Sequence, residues 1–402
     1  MSLQLDTFNP RVMAVQPSAT LAMTARAKQL RREGKPVISL SAGEPDFDTP
    51  APIAEAAIQA IREGFTHYTE NAGMLELREA ICRKLAEENG LTYEPDQILC
   101  TNGAKQAVAM AIEVLCRPED EVLIPAPYWV SYPEMVRLAG ATPVILPTSV
   151  ETGYRLTPEQ LEAAITERTR LLILCSPSNP TGTVYTPEEL EALADVLRRH
   201  EHVYVLSDEI YEYILFDAKH VSFASLPGMK ERTITVNGFS KGFAMTGWRL
   251  GYLAAERPIV KAAAKVQSQF TSAPCSISQK AGLAALQMDK GPIREMVAAF
   301  RQRRDFVLER LQAIDGITCP KPEGAFYLFP QVSAFYGRRT PDGQTITDSE
   351  SLCLYLLEQC HVALVPGQAF GDPNGVRISY AASMENLAEA MRRIEAGLAA
   401  LQ

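Results

Sequence analysis

Residues 170–177 read RLLILCSP, residues 203–210 VYVLSDEI and residues 232–239 RTITVNGF. Each is a short run of mostly branched apolar residues, bounded by turn formers, with polar residues gathered near its carboxyl end. Runs this short and this apolar read as strands buried on both faces, the signature of a parallel sheet. Two more precede them, EVLIPAP at 121–127 and TPVILP at 142–147, and RLGYLAA at 249–255 is a further candidate. Helical patterns at 104–116, 128–139, 158–166 and 187–200 separate several of these runs. The alternation is that of a three-layer α/β fold with a mostly parallel sheet.

Upstream, the pattern predicts a helix over 19–34 ending at Gly34, a strand over Val37–Leu40, and helices over 51–63 and 73–89, the last ended by Gly90. Downstream, residues 258–313 read as largely helical, with a break around Ser272–Pro274. After Pro320 the pattern shortens to GAFYLFP, VALVPG, GVRISYA and a terminal helix from about 384. A chain of 402 residues exceeds one ordinary core. The expected division is a large domain over residues 50–290 and a smaller α+β domain made of 1–49 and 291–402, because so short an N-terminal segment could not fold alone.

The composition narrows the function. With 39 basic against 48 acidic residues the formal charge is −9, which argues against the basic face that a nucleic-acid partner requires. The eight cysteines are scattered without a C-x-x-C pair, so they read as free thiols in a reducing compartment rather than disulfides or metal ligands. The N-terminus lacks the basic and apolar regions of a signal peptide, and no apolar run is long enough to span a membrane. The expectation is a cytoplasmic protein without a membrane, nucleic-acid or metal partner.

Ligands of open α/β sheets bind beyond the carboxyl ends of the strands. Asn179 follows the strand 170–177, Asp208 ends the strand 203–207 with Tyr211 three residues on, and Ser240 and Lys241 follow the strand 232–237. Gly103, Ala104 and Lys105 open a helix. Taken singly, each residue has an ordinary reading. Lys241 would be a solvated charge, Asp208 a turn residue, Arg249 and Arg377 salt-bridge partners, and Trp129 part of the core. Polar groups converging from several strand ends are harder to explain as packing. Together they supply what an amine-transferring cofactor needs: a lysine that can form an imine, a carboxylate for a pyridinium nitrogen, a helix N-terminus and an arginine for a phosphate, and a second arginine for a substrate carboxylate.

The segments SAGEPDFDTP (41–50), PAPYWVSYPEM (125–135), SPSNPTG (176–182), SDEIY (207–211), NGFSKGFAMTGWRLGY (237–252) and GVRISYA (375–381) resemble, in this order along the chain, the class I aminotransferases of pyridoxal-5′-phosphate (PLP) fold type I. The resemblance spans roughly residues 10–400. It implies that Lys241 is the imine-forming catalytic lysine and that Asp208 pairs with the pyridinium nitrogen. Asn179 and Tyr211 would bond the ring oxygen, and Trp129 would stack on the ring. The backbone of Gly103, Ala104 and Lys105 would hold the phosphate with Ser240 and Arg249. Arg377 would bind the substrate α-carboxylate with Gly43 and Asn179. Tyr68, in HYTENAG, would reach the cofactor of a neighbouring subunit, which implies a homodimer with active sites at the interface. The Asn179–Pro180 bond is a candidate cis peptide. Gly238 stands where many members carry serine, which implies one lost phosphate contact.

TNGAKQA (101–107) and QPSAT (16–20) are similar to the subgroup Ib aspartate aminotransferases, in which this lysine and serine help bind the distal carboxylate of an acidic substrate. Lys105 and Ser18 take that role here, although a lysine at a helix start can also simply point to solvent. The insert VSAFYGRRTPDGQTITDS (332–349) is like that of some Ib members. The implied reaction is ping-pong transamination, L-aspartate and 2-oxoglutarate giving oxaloacetate and L-glutamate. Prephenate, aromatic or alanine-type specificity, a PLP-dependent lyase, and a non-enzymatic PLP-binding regulator are the alternatives.

Overall fold

The computed structural model describes residues 8–17 and 19–402. Its strands are β1 (Ile38–Ser39), β2 (Ile98–Thr101), β3 (Glu121–Ala126), β4 (Thr142–Pro147), β5 (Thr169–Cys175), β6 (Tyr204–Asp208), β7 (Thr233–Gly238), β8 (Gly251–Ala254), β9 (Tyr327–Leu328), β10 (Val362–Ala363), β11 (Val365–Pro366) and β12 (Val376–Ser379). Seven of them form one sheet in the order β2-β8-β7-β6-β5-β3-β4. Strands β3 to β7 run parallel to their neighbours, and β8 lies antiparallel between β7 and β2. The inner parallel strands β3, β5, β6 and β7 have no free face, whereas the edge strand β4 is largely exposed. Leu171, Ile173 and Leu206 pack under the helices Ala104–Leu115, Ser131–Ala139 and Arg257–Phe270. Their alternates Leu172, Leu174 and Val205 pack under Pro158–Ala164 and Pro187–Arg199. This double burial explains why the runs lack polar alternation.

The strand order also locates a crevice. The chain leaves β3 toward β4 on one side, and it leaves β5 toward β6 on the other. Loops after adjacent β3 and β5 therefore diverge, and such a switch point is where open α/β sheets bind ligands. Trp129 lies in the loop after β3 and Asn179 in the loop after β5.

The N-terminal segment joins the C-terminal part. Strand β1 pairs with β10, Ile38 opposite Val362, and β11-β12-β9 form a small antiparallel sheet. One apolar cluster unites Leu30, Val37 and Leu40 with Phe300 and Phe326 and with Met391 of the terminal helix Met384–Ala399. Among the described residues, no helix is long and apolar enough to cross a membrane.

Several boundaries differ from the sequence reading. Strand β2 was not anticipated: its four residues are all buried, so neither length nor alternation marks it, and pairing with β8 makes it a strand. The helix expected over 128–139 begins at Ser131, because the Tyr128 amide donates to the Phe370 carbonyl instead, which leaves Trp129 in a loop. The run 203–210 forms strand only as far as Asp208, the end that the sequence also gives it, and residues 209–213 turn away from the sheet.

Candidate active site

A cavity of about 310 Å³ opens at the switch point. Its lining includes Gly43, Ala104, Lys105, Trp129, Asn179, Asp208, Tyr211, Ser240, Lys241, Arg249 and Arg377. The register explains part of this convergence. Cys175 pairs with Asp208 and Asp208 with Val236, so β5 and β6 end level while β7 continues to Gly238, and Asn179, Asp208 and Ser240–Lys241 emerge at one edge.

The charge balance is unusual. Among the described residues, Lys105, Lys241, Arg249 and Arg377 line the cavity, while Asp208 is the one carboxylate that does. Among the described residues none of these four cations has a carboxylate within 4.0 Å, although most arginines of the chain do. A wall of unpaired cations has room for an anion-rich ligand.

At one end the helix Ala104–Leu115 presents its first, unpaired N–H groups. Gly103 caps it at φ 77°, a left-handed region in which glycine costs nothing. A β-carbon at Gly103 would collide with Arg249 Nη2, so glycine also lets the guanidinium lie against the helix start. Arg249 itself adopts φ 52° and ψ 52°. Its Nη1 donates to the Thr246 carbonyl at 2.9 Å, which aims the group without neutralising it. With buried Ser240 this makes a cradle for a dianionic phosphate. Lys105 Nζ lies 5.0 Å from the Trp129 ring centroid, and burial followed by the charge of Arg249 lowers its pKa.

In the middle, Asp208 is 4% exposed. Its Oδ2 accepts from Tyr132 Oη at 2.7 Å and its Oδ1 from the Ile210 amide at 3.3 Å. Burial pushes its pKa up to about 6, against the pull of these hydrogen bonds. Lys241 Nζ donates to the Gly43 carbonyl at 2.5 Å, and burial lowers its pKa to about 8 despite the opposing charge of Glu44. The Tyr211 and Tyr327 hydroxyls lie 2.9 Å apart.

At the other end Arg377 is 2% exposed. Its Nη1 donates to Asn179 Oδ1 at 3.0 Å and its Nη2 to the Ser41 carbonyl at 2.7 Å, while Nε has no partner. The guanidinium lies against the rings of Tyr327, at 4.7 Å, and Phe370, at 5.0 Å. Burial lowers its pKa. It is a charged fork held rigidly by neutral groups, suited to a planar carboxylate.

Two sequence candidates lie apart. Tyr68 is 99% exposed and does not line the cavity of its own chain. Ser18 lies outside the described residues. Gly238 acquires a different explanation. It pairs with Gly251, and a β-carbon there would meet Gly251 Cα at 2.8 Å and the Leu250 carbonyl at 3.0 Å. The missing side chain is thus a packing requirement between β7 and β8, rather than simply a lost phosphate contact. The Asn179–Pro180 bond is cis, as are Ala126–Pro127 and Ser176–Pro177.

Sequence reasoning missed Tyr132 and Tyr327. Tyr132 donates directly to Asp208, and Tyr327 contacts both Tyr211 and Arg377. Both stand inside quoted segments, PAPYWVSYPEM and GAFYLFP, but a tyrosine among apolar residues reads as core.

Comparison with known proteins agrees with this geometry. The family model for aminotransferase class I and II matches residues 35–394. A bifunctional aspartate aminotransferase and glutamate/aspartate-prephenate aminotransferase of Petunia hybrida is 57% identical over 400 residues, covering 98% of this chain and 84% of that protein. An aspartate/prephenate aminotransferase of Cereibacter sphaeroides is 49% identical over 389 residues, covering 96% and 97%. The crystal structure of the aspartate aminotransferase from Rhizobium meliloti superimposes with a TM-score of 0.96 at 47% identity, covering all of both chains. That of Thermus thermophilus with maleate gives 0.91 at 44% identity, covering 97% of this chain and 99% of that one. Sequence, architecture and cavity agree that the chain belongs to the class I and II aminotransferases.

Proposed function

We propose that the chain is a PLP-dependent aspartate aminotransferase that moves the amino group of L-aspartate to 2-oxoglutarate by a ping-pong route. The observation that carries this reading is the cavity with four unpaired cations around one buried carboxylate. A phosphate fits the Gly103–Lys105 helix start with Ser240 and Arg249. A protonated ring nitrogen fits Asp208, which is buried and has no cation within 4.0 Å among the described residues. When bound, PLP supplies an aldehyde that captures amines and a ring that takes up the electrons of a broken C–H bond.

The chain's own residues then divide the work. Asp208, ionised above about pH 6, holds positive charge at the ring nitrogen. Asn179 and Tyr211 would hold the ring oxygen, and Trp129 would cover a ring face. Arg377, with Asn179 and Gly43, grips the α-carboxylate and so fixes which substrate bond faces Lys241. With a pKa near 8, Lys241 Nζ can give up a proton and take one back near neutral pH, as a base and acid must. Lys105 and Ser18 read the distal carboxylate.

We infer further that two copies pair so that the exposed Tyr68 of one reaches the phosphate cradle of the other. Residues 50–290 would form the large domain, and 1–49 with 291–402 a small domain that closes through Arg377. A second reading, prephenate as an amino acceptor, is favoured by the names of the Petunia and Cereibacter relatives. The deciding experiment is a half-reaction screen. Each amino acid is mixed with the PLP-loaded protein and each 2-oxo acid with the aminated form, and absorbance is followed. Aspartate and glutamate should react fastest. Faster reaction with alanine or an aromatic donor would replace aspartate as the substrate, and rapid consumption of prephenate would add the second activity.

A further inference from the structure

The turn that carries Asp208 and Tyr211 to the cavity carries Glu209 and Glu212 the opposite way. Glu209 is 1% exposed. Its carboxylate accepts from Ser207 Oγ at 2.9 Å and Ser222 Oγ at 2.7 Å, and it meets His220 Nε2 at 3.0 Å. Buried Glu212 accepts from Lys84 Nζ and from Asn89 Nδ2 at 3.0 Å, with His220 Nε2 at 3.9 Å. Lys84 and Asn89 belong to the helix Leu75–Asn89, whereas His220 and Ser222 belong to the loop that follows the turn. Burial pulls the His220 pKa down, but Glu209 and Glu212 outweigh it and the imidazole is raised. Glu212 is thus paired with the Lys84 ammonium, which also lies 3.8 Å from Glu88, and Glu209 with an imidazole whose protonated form the two carboxylates favour. The three His and Glu ligand atoms lie within 4.8 Å of one another, yet the Lys84 ammonium already supplies a cation there, so the cluster is an ion-pair network rather than a metal site.

Such a network is a poor device for stability alone. Taking each ion out of water costs several kcal/mol, and apolar side chains of the same volume often serve as well. What it supplies is one conformation. Glu209 and Glu212 are bolted to two separate elements, and the Glu212 amide donates to the Glu209 carbonyl at 2.9 Å, closing the turn between them. Asp208 and Tyr211 alternate with them along the same residues, so neither can move unless the bolts do.

We propose that Glu209 and Glu212, held by His220 and Lys84, are positioning residues that lock the 208–212 turn and so present the Asp208 carboxylate and Tyr211 hydroxyl together to the cofactor ring. The proposal rests on the reading that those two groups hold PLP. Its test uses full-length Glu209→Ala and Glu209→Gln proteins, stripped of cofactor and reloaded. Three quantities are measured: the PLP dissociation constant, the aspartate half-reaction rate per bound PLP with its KM, and the melting temperature of the stripped protein. In Glu209→Ala the dissociation constant should rise and the rate per bound PLP fall, each by about tenfold, as for other groups that orient a ligand-holding side chain. The KM for aspartate should stay within about twofold, since the Arg377 end is untouched. Glu209→Gln keeps an acceptor for Ser207 and Ser222 and should recover part of the loss. A lower melting temperature with wild-type affinity and wild-type rate per bound PLP would overturn the proposal. If Glu209→Ala fails to fold, unchanged affinity and rate in Glu209→Gln overturn it equally. A wild-type protein that takes up no PLP would instead remove the functional reading on which the proposal stands.

Discussion

Asp208 and Tyr211 face a cavity whose charged groups make no ion pair within 4.0 Å among the described residues, whereas Glu209 and Glu212 face a core in which Lys84 pairs with Glu212 and His220 lies against Glu209. The two faces share one turn and nearly the same burial, so burial does not separate them. Pairing does. An unpaired buried charge costs free energy, and a protein keeps it where a ligand will later supply the partner. A paired buried charge is satisfied by the fold and serves the frame. In this molecule the titration behaviour follows the same division. The Asp208 carboxyl is raised by burial, while Lys84 and His220 outweigh burial and hold Glu212 below its ordinary range.

The sharpest break of the comparison is at Lys241. Lys241→Ala removes the group that holds and moves the proton, and turnover should fall by roughly 10³-fold or more. The visible absorbance of lysine-bound cofactor should vanish with it. Normal turnover in this variant would end the catalytic assignment.

Asp208→Asn comes next and has two opposite effects. The carboxyl is neutral in folded and unfolded chains below about pH 4. The folded cofactor-free chain keeps its proton up to about pH 6, so the stability contributed by this group is lost as pH rises between those values. Above pH 6 the ionised group costs roughly 3 kcal/mol, about two pKa values at about 1.4 kcal/mol each. The stripped Asn variant should therefore melt higher than wild type at pH 7.5 and equally at pH 4, while its half-reaction slows by roughly a hundredfold. Equal melting at both pH values would show that the charge is not unpaired.

Arg377→Lys keeps the charge but loses the planar fork between Tyr327 and Phe370. KM for every amino donor should rise by roughly tenfold to a hundredfold, the worth of one charge-assisted hydrogen bond. A change confined to kcat would place Arg377 outside substrate binding.

How much of this was legible in the sequence depends on which face a residue serves. Strands β5, β6 and β7 announce themselves because double burial forbids polar residues, and the groups at their ends stand out by contrast. Strand β2 is too short to do so. Tyr132 and Tyr327 escaped because a hydroxyl inside an apolar run gives no sign of whether it reaches a carboxylate. Glu209 and Glu212 escaped for a geometric reason. The two-residue period of a strand ends at Asp208, and beyond it only the turn decides which side chain faces the cavity. Gly238 was visible as a departure, but its cause, contact with Gly251, belongs to strand pairing. Tyr68 depends on a second chain.

The smallest expected effect is at Lys105, on the cavity rim. A cation at a helix N-terminus is opposed by the helix dipole. Here Arg249 opposes it too, and no carboxylate lies within 4.0 Å among the described residues. The Trp129 ring at 5.0 Å offers only partial compensation. An incoming distal carboxylate would complete the pairing, so Lys105→Ala should raise KM for aspartate by about tenfold, near 1.4 kcal/mol, and leave alanine within about twofold. Lys105→Arg should restore most of the difference. The residue as a whole is exposed although its ammonium is partly desolvated beside Trp129, so salt reaches it, and the aspartate-over-alanine preference that it confers should shrink between low and physiological ionic strength. Equal loss for both donors, or a preference indifferent to salt, would mean that Lys105 is a frame residue like Lys84, and that the distal carboxylate is read elsewhere.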